Sequence, residues 1–169
     1  MNTHRYTPQL IVENKDYLCF NIPLYQRLFA WGEAQVYGLL YDMKEHFSKT
    51  GKEEPYYLGM LSCIARGNVY DLIDGQQRFT VMTLLALVLR KYDERWNKFL
   101  DEGKRLHFVA RPKDREYLLA SIRNVVGQVD EPNKKMQSAI NLAEEFLKKD
   151  FQSDGDRLAF ATNVFERLS

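Results

Sequence analysis

The sequence contains few of the features from which a function is usually inferred directly. Only two cysteines occur in 169 residues, and 24 Lys and Arg stand against 23 Asp and Glu, which gives a net charge of +1. Without a global excess of positive charge, any nucleic-acid-binding surface must be a local patch. Cys19 and Cys63 each lie in an apolar stretch that is typical of a strand. This favours buried, reduced thiols of an intracellular protein, although the sequence alone leaves a disulfide open.

Several motifs of catalysis and targeting are also missing. The three histidines, His4, His46 and His107, have no metal-ligand spacing, and the sequence contains no H-N-H pattern and no G-x-x-x-x-G-K-[ST] loop. The longest uncharged apolar run, Phe79 to Leu89, is too short for a membrane span, and the amino terminus lacks a secretion signal. We therefore expect a cytoplasmic protein without a membrane partner.

The hydrophobic pattern predicts an α+β fold, a small mixed β-sheet with packed helices followed by a helical region. With 45% hydrophobic residues, the chain can bury one core of ordinary size. The predicted elements are a strand at Tyr17 to Tyr25 that ends at Pro23, a helix from about Gly32 with Val36, Leu39, Leu40, Met43 and Phe47 on one face, a strand at Tyr56 to Ala65 with "VYDLI" as its hairpin partner, a long helix from Gln76 to about Leu100, a short strand in "RLHFVA", a helix opened by Pro112, and two helices from Asn133 onward separated by "SDGD".

This pattern divides the chain into an α+β domain over residues 1–110 and a helical extension over residues 111–169. The last pattern, "RLAFATNVFERLS", has neither a capping glycine nor a polar tail. We therefore expect the helical extension to continue beyond the end of the chain.

The stretch "LIDGQQRFTVMTLLALVL" sets polar residues directly against an apolar run. One interpretation is purely structural. Asp74 is a good N-cap residue, Gln77 three positions later completes a capping box, and Gly75 allows a sharp turn from the strand into the helix. On this interpretation "DGQQR" only starts a buried helix.

Two details favour a binding site instead. Arg78 stands in the first turn of the predicted helix, where the helix dipole already presents positive charge, and a bound anion would remove the mismatch. Gln76 and Gln77 are long amides that the apolar helix does not need, but they suit phosphate oxygens. Asp74 adds a carboxylate that could hold Mg²⁺ or Mn²⁺ bridging to phosphates. This interpretation predicts a phosphate or nucleotide site at the start of the helix.

A second Gln-Arg pair lies in "IPLYQRLFAW". We expect Trp31 to pack under the helix that follows, as part of a hydrophobic staple. Tyr25, Gln26 and Arg27 have polar ends between aromatic residues, and this combination suits a nucleotide base or a nucleic-acid backbone.

Together, "IPLYQRLFAW", "YYLGML" and "YDLIDGQQRFTVMTLL", in this order, resemble the N-terminal DGQQR domain of GmrSD-type restriction systems. The resemblance is specific between about Phe20 and Leu89. It implies a ParB/sulfiredoxin-like fold, hydrolysis of a nucleoside triphosphate (NTP) linked to the DGQQR motif, and regulation of a separate nuclease domain that attacks foreign DNA. The two motifs fall on Asp74, Gly75, Gln76, Gln77 and Arg78, and on Pro23, Tyr25, Gln26 and Arg27.

Three functions remain open at this point. The first is a Mg²⁺-dependent NTP hydrolase that serves as the sensor of a restriction or phage-defence protein, with DNA and an HNH-type nuclease domain, in cis or in trans, as partners of the full protein. Its expected catalytic residues are Asp74, Gln77 and Arg78, its phosphate-binding residues are Gly75, Gln76, Gln77, Arg78, Tyr25, Gln26 and Arg27, and its metal ligand is Asp74. The second is a non-catalytic, ParB-like DNA-binding module that uses the same Gln and Arg residues. The third is a nuclease with Asp71 and Asp74 as metal ligands.

Overall fold

The computed structural model describes residues 4–49, 54–125, 127, 129 and 133–169. The described residues form seven α-helices, a short 3₁₀ helix and one four-stranded sheet, which confirms the predicted mixed α+β class. In chain order the elements are α1 (Pro8–Glu13), β1 (Cys19–Ile22), α2 (Glu33–Lys49), β2 (Ser62–Arg66), β3 (Val69–Asp74), α3 (Gln76–Leu89), α4 (Arg95–Leu100), the 3₁₀ helix (Asp101–Gly103), β4 (Leu106–Phe108), α5 (Pro112–Arg123), α6 (Lys134–Asp150) and α7 (Asp154–Arg167).

The strands run in the order β2-β3-β1-β4. The central strand β1 is parallel to β3 on one side and to β4 on the other, whereas β2 and β3 form an antiparallel hairpin. The carboxyl ends of β1, β3 and β4 therefore meet at one edge of the sheet. Both motifs singled out in the sequence begin where one of these strands ends, so the topology brings them to the same edge.

Helix α3 is buried on all sides from Phe79 to Leu89. Its first aromatic ring, Phe79, lies 4.5 Å from the ring of Phe20 on β1, measured between centroids. Farther along, the helix packs against α4 and α6, and α6 also packs against α2. The site at the amino end of α3 therefore lies at the start of a helix that is buried in the core. None of the described helices combines the length and apolar character needed to cross a membrane.

The prediction of one long helix from Gln76 to about Leu100 was wrong, because the structure has two helices there. Helix α3 ends at Leu89, and α4 begins only at Arg95. In the turn between them, the buried carboxylate of Asp93 accepts hydrogen bonds from the backbone N–H and the guanidinium of Arg95. A carboxylate that bonds a nearby backbone N–H competes with the helical ladder, so α3 ends before this turn and a new helix starts after it.

The predicted strand at Tyr56 to Ala65 is also only partly correct, because β2 begins at Ser62. Tyr56 instead forms an isolated parallel bridge with Leu168, at the end of α7. The partner of Tyr56 thus lies more than a hundred residues away in sequence, where a local pattern cannot indicate it.

Both cysteines are free, and Cys19 is buried, as expected, with its thiol donating a hydrogen bond to the carbonyl of Lys104. The expectation for Cys63 was wrong: it lies on the edge strand β2, which is exposed over most of its length. The structure also contains α1, which the sequence analysis did not predict, although Thr7 caps it and Pro8 opens it.

The other predicted elements, β1, α2, the β2–β3 hairpin, β4, α5, α6 and α7, are confirmed. The four residues Val36, Leu39, Leu40 and Met43 of the predicted apolar face are buried. One hydrophobic core takes residues from Ile11 to Leu168. The division at residues 110 and 111, and the continuation of the chain beyond residue 169, stay predictions.

Candidate functional site

The two Gln-Arg motifs meet at the carboxyl edge of the sheet. The side-chain amide of Gln26, in the loop after β1, donates to the carbonyl of Ile73 at the end of β3, at 2.8 Å. From the other side, the amide of Gln77 donates to the carbonyl of Leu28 and accepts from the backbone N–H of Ala30, both at 2.8 Å. These bonds fasten the loop to the start of α3.

The start of α3 is built differently from the predicted capping box. The N-cap residue is Gly75, in the left-handed conformation with φ of 84°, and no side chain caps the helix from that position. Asp74 is therefore not the cap, and the amide of Gln77 is taken up by the loop. A Cβ at Gly75 would lie 2.4 Å from Cδ2 of Leu61 and 3.0 Å from the carbonyl oxygen of Met60. Only glycine allows this close approach and this backbone conformation.

Without a capping side chain, the first turn of α3 keeps its hydrogen-bond donors. The N–H of Phe79 is the first to bond within the helix, to the carbonyl of Gly75 at 3.0 Å. The N–H groups of Gln76, Gln77 and Arg78 precede the helical ladder, as they do at every helix start. Such groups, together with the helix dipole, favour an anion.

The guanidinium of Arg78 is bonded to other groups of the protein. Its Nη2 donates to the carbonyl of Met60 at 2.5 Å and lies 3.6 Å from a carboxylate oxygen of Asp74. The positive charge in the first turn is therefore partly balanced by the protein, and the mismatch does not by itself require a bound anion. Its Nε, however, is buried and has no hydrogen-bond partner among the described residues.

A glycine in the segment before β2 makes room for this guanidinium. Gly59 has φ of 128°, and a Cβ there would lie 3.0 Å from Nε of Arg78. The motif "YYLGML" was evident in the sequence, but no role for Gly59 or Met60 followed from it. A glycine between aromatic and apolar residues was the available signal.

The two adjacent glutamines have different surroundings. Gln77 is 7% exposed and uses both ends of its amide to hold the loop, so the expectation that packing does not need it was wrong. Gln76 is 5% exposed, and its amide makes no hydrogen bond to another described residue. The amide atoms of Gln76 are not among the described side-chain atoms that are both fully buried and unpartnered, so the amide reaches the surface with its donors and acceptor unused. Gln76 is therefore the glutamine whose amide is open to a ligand.

The rim of the site is formed by exposed residues of the loop after β1. Tyr25 is 69% exposed and Arg27 is also exposed. The guanidinium of Arg111, which follows β4, donates to the backbone carbonyl of Arg27 at 2.8 Å and so fixes the loop from the far side. Arg111 was not predicted, because only the parallel pairing of β1 with β4 brings it here. Trp31 packs against the core, as expected.

The described aspartates near the site have separate partners. Among the described residues, no three or more His, Cys, Asp or Glu side chains come together in a way that could hold a metal ion. Asp71 bonds Asn21 and Arg66 through its two oxygens, whereas Asp74 lies beside Arg78 and is 73% exposed. The two aspartates thus have different partners, and the geometry gives no support to a two-aspartate nuclease centre.

Comparison with curated proteins gave no match. The family model for the N-terminal domain of GmrSD restriction endonucleases matches residues 9–168, which is nearly the whole chain. The matched residues include both Gln-Arg motifs. The chain therefore belongs to the family of N-terminal domains of GmrSD restriction endonucleases.

Proposed function

We propose that this chain binds a nucleoside triphosphate at the amino end of α3 and hydrolyses it, as the regulatory domain of a restriction endonuclease. The observation that carries the proposal is the buried, unpartnered Nε of Arg78 beside the uncapped first turn of α3. A buried guanidinium N–H without an acceptor is costly, and a phosphate oxygen is the acceptor it suits best.

The phosphate-binding groups are the N–H groups of the first turn, the Arg78 guanidinium and the amide of Gln76. All three kinds of donor lie at the point where the helix dipole favours negative charge. To reach a phosphate, the guanidinium exchanges the carbonyl of Met60 for a phosphate oxygen, and Nε then gains its partner. Such preorganised donors stabilise the charge of a phosphoryl-transfer transition state.

Asp74 is the acidic residue at this corner and its carboxylate is exposed. Mg²⁺ commonly takes only one or two protein carboxylates together with substrate phosphates, so a single aspartate fits an ion that arrives with the nucleotide. The ion would supply charge neutralisation, while Asp74 holds it or orients the attacking water. Gln77, expected to be catalytic, is fully used by the loop, and we assign it to positioning.

The loop after β1 lies on the other side of the proposed site. Gln26 is bonded to Ile73 and positions the loop, whereas Tyr25 and Arg27 project exposed groups that can contact a base and a phosphate. The DNA and the HNH-type nuclease domain expected for the full protein remain part of this proposal.

Calorimetry with ATP and GTP in the presence of Mg²⁺, followed by a phosphate-release assay, tests the proposal. We expect binding and turnover by the unaltered chain and loss of turnover in Arg78→Ala. The matched control is Arg66→Ala, which removes an exposed arginine paired with Asp71 and should leave turnover unchanged. Normal hydrolysis by a folded Arg78→Ala protein would contradict the proposal.

The exposed pair Tyr25 and Arg27 favours a second candidate, a DNA-binding module without catalysis. The same calorimetry separates the two functions. Binding of DNA without heat from any NTP and Mg²⁺ would favour the DNA-binding module.

A further inference from the structure

The end of α7 is bonded to a segment that leads directly into the site. Residues 54–60, which we call the linking segment, pair in parallel with residues 167–169. The N–H of Tyr56 donates to the carbonyl of Arg167 at 2.9 Å, and the N–H of Leu58 donates to the carbonyl of Ser169 at 2.6 Å. The guanidinium of Arg167 adds a hydrogen bond to the carbonyl of Glu54. The first residues of the linking segment are thus bonded to the end of α7.

The other end of the linking segment holds Arg78. Only two residues beyond Leu58, the carbonyl of Met60 accepts the hydrogen bond from the Arg78 guanidinium, and Gly59 packs against that guanidinium. The same short stretch of backbone therefore pairs with residues 167–169 and accepts the hydrogen bond from Arg78. Between the two contacts lies Gly59, whose φ of 128° favours glycine.

In its present position the buried Nε of Arg78 finds no acceptor among the residues that the structure describes. Moving to an anion breaks the bond to Met60 and removes the guanidinium from Gly59. The linking segment then loses its contact with the Arg78 guanidinium.

We propose that the linking segment couples the site at the start of α3 to the end of α7. While residues 167–169 are paired with it, the segment retains Arg78 in the retracted position seen here. When Arg78 engages an anion, the pairing with residues 167–169 loosens. The anion-dependent half of this coupling rests on the proposed function. Since coupling free energies are reciprocal, loosening the pairing also favours anion binding.

Hydrogen exchange tests the ligand-free half. In Arg78→Ala, the amides of Tyr56 and Leu58 should exchange about fivefold faster or more, the lower range of typical coupling. The amide of Ala143, in the core of α6, serves as the reference for global unfolding and should not change. Arg66→Ala is the matched control. Equal exchange of Tyr56 and Leu58 in the two variants would overturn the coupling.

Inorganic pyrophosphate tests the ligand-dependent half. Its binding to the unaltered chain should speed exchange at Tyr56 and Leu58, and Arg167→Ala should bind it about fivefold more tightly. Bound pyrophosphate with unchanged exchange would refute the coupling but not the proposed function. If pyrophosphate and NTP both fail to bind, the proposed function fails, while the comparison of Arg78→Ala with Arg66→Ala still decides the coupling.

Discussion

At the scale of single residues, the site separates groups that hold the protein together from groups that are free for a ligand. The side chains of Gln26, Gln77 and Arg111 donate hydrogen bonds to backbone carbonyls of neighbouring segments. Nε of Arg78 is buried without a partner among the described residues, and the side-chain amide of Gln76 bonds none of them. A protein that leaves such groups unsatisfied sacrifices some stability, as is common where a ligand binds.

The two glutamines should therefore respond oppositely to replacement. Gln77→Ala leaves the carbonyl of Leu28 and the N–H of Ala30 without their partner, and we expect a loss of about 2 kcal/mol in the free energy of unfolding. Gln76→Ala removes no hydrogen bond to a described residue and should cost less than half as much, while weakening NTP binding more than Gln77→Ala does. Urea denaturation and calorimetry of both variants check this, and equal destabilisation would contradict the assignment.

Gly75 should tolerate no side chain. Gly75→Ala places a Cβ against Leu61 and Met60 at φ of 84°, so we expect destabilisation by about 1–3 kcal/mol. Gly38 is the matched control, because it lies within α2 and a Cβ there meets nothing within 4 Å. Gly38→Ala should stabilise the chain by up to about 1 kcal/mol through its higher helix propensity. Thermal unfolding compares the two, and a neutral Gly75→Ala would show that the turn can relax.

The residues of the candidate site could be singled out in the sequence, but the groups they contact could not. The charge of Arg78 at a helix start and the Gly75 turn were evident from residue type and order. The acceptor of Arg78 is a backbone carbonyl, at Met60, and a carbonyl has no signature in a sequence. For the same reason, nothing distinguished Gln76 from Gln77 until the loop that Gln77 holds was seen.

At the scale of elements, periodicity predicted most helices and strands, but it did not predict the break between α3 and α4. The apolar run of α3 passes into the amphipathic pattern of α4 without a proline or glycine, so one long helix was the natural prediction. The break depends on Asp93, a buried carboxylate bonded to Arg95 and Thr162. Thr162 lies on α7, so the cause of the break includes a tertiary contact that local sequence cannot show.

Asp93 should give this turn a pH-dependent stability. Burial alone raises the pKa of its carboxyl group, but hydrogen bonds from Arg95 and Thr162 outweigh burial and lower the pKa below the ordinary value. Because the folded pKa lies below the unfolded one, the stabilisation is complete above about pH 4 and is lost as the pH falls through the folded pKa.

Asp93→Asn should therefore destabilise the chain by about 2 kcal/mol at neutral pH, and the difference from the unaltered chain should shrink below about pH 4. Denaturation across this pH range is the measurement. Asp16→Asn, at an exposed position, is the control and should show little difference at any pH. A deficit for Asp93→Asn that does not change with pH would argue against the charged pairing.

At the scale of the whole molecule, the mixed class could be predicted but the strand order could not. The β2–β3 hairpin is local, and its turn was visible in "RGN". The parallel pairings of β1 with β3 and β4 join residues about fifty to ninety positions apart, such as Phe20 with Tyr70 and with Leu106. These pairings place the two motifs side by side, so the assembled site follows from the topology rather than from either motif alone.

The core also decides whether the first 110 residues can fold alone. Helix α3 is apolar nearly all round and packs against α6, and the fully buried Trp96 of α4 donates its indole N–H to the carbonyl of Ala161 and packs its ring on Phe165. Removing residues 111–169 would expose these surfaces to water, which is unfavourable in proportion to their apolar area.

We therefore expect a chain of residues 1–110 to unfold without a cooperative transition and to show red-shifted tryptophan fluorescence, because Trp96 becomes exposed. Addition of a fragment of residues 111–169 should shift the fluorescence back if the two parts dock. The intact chain, measured in parallel, should unfold in one cooperative step, since a single core joins both parts. A cooperative transition of residues 1–110 alone, with the fluorescence of a buried Trp96, would show that α6 and α7 cover a domain that is already complete.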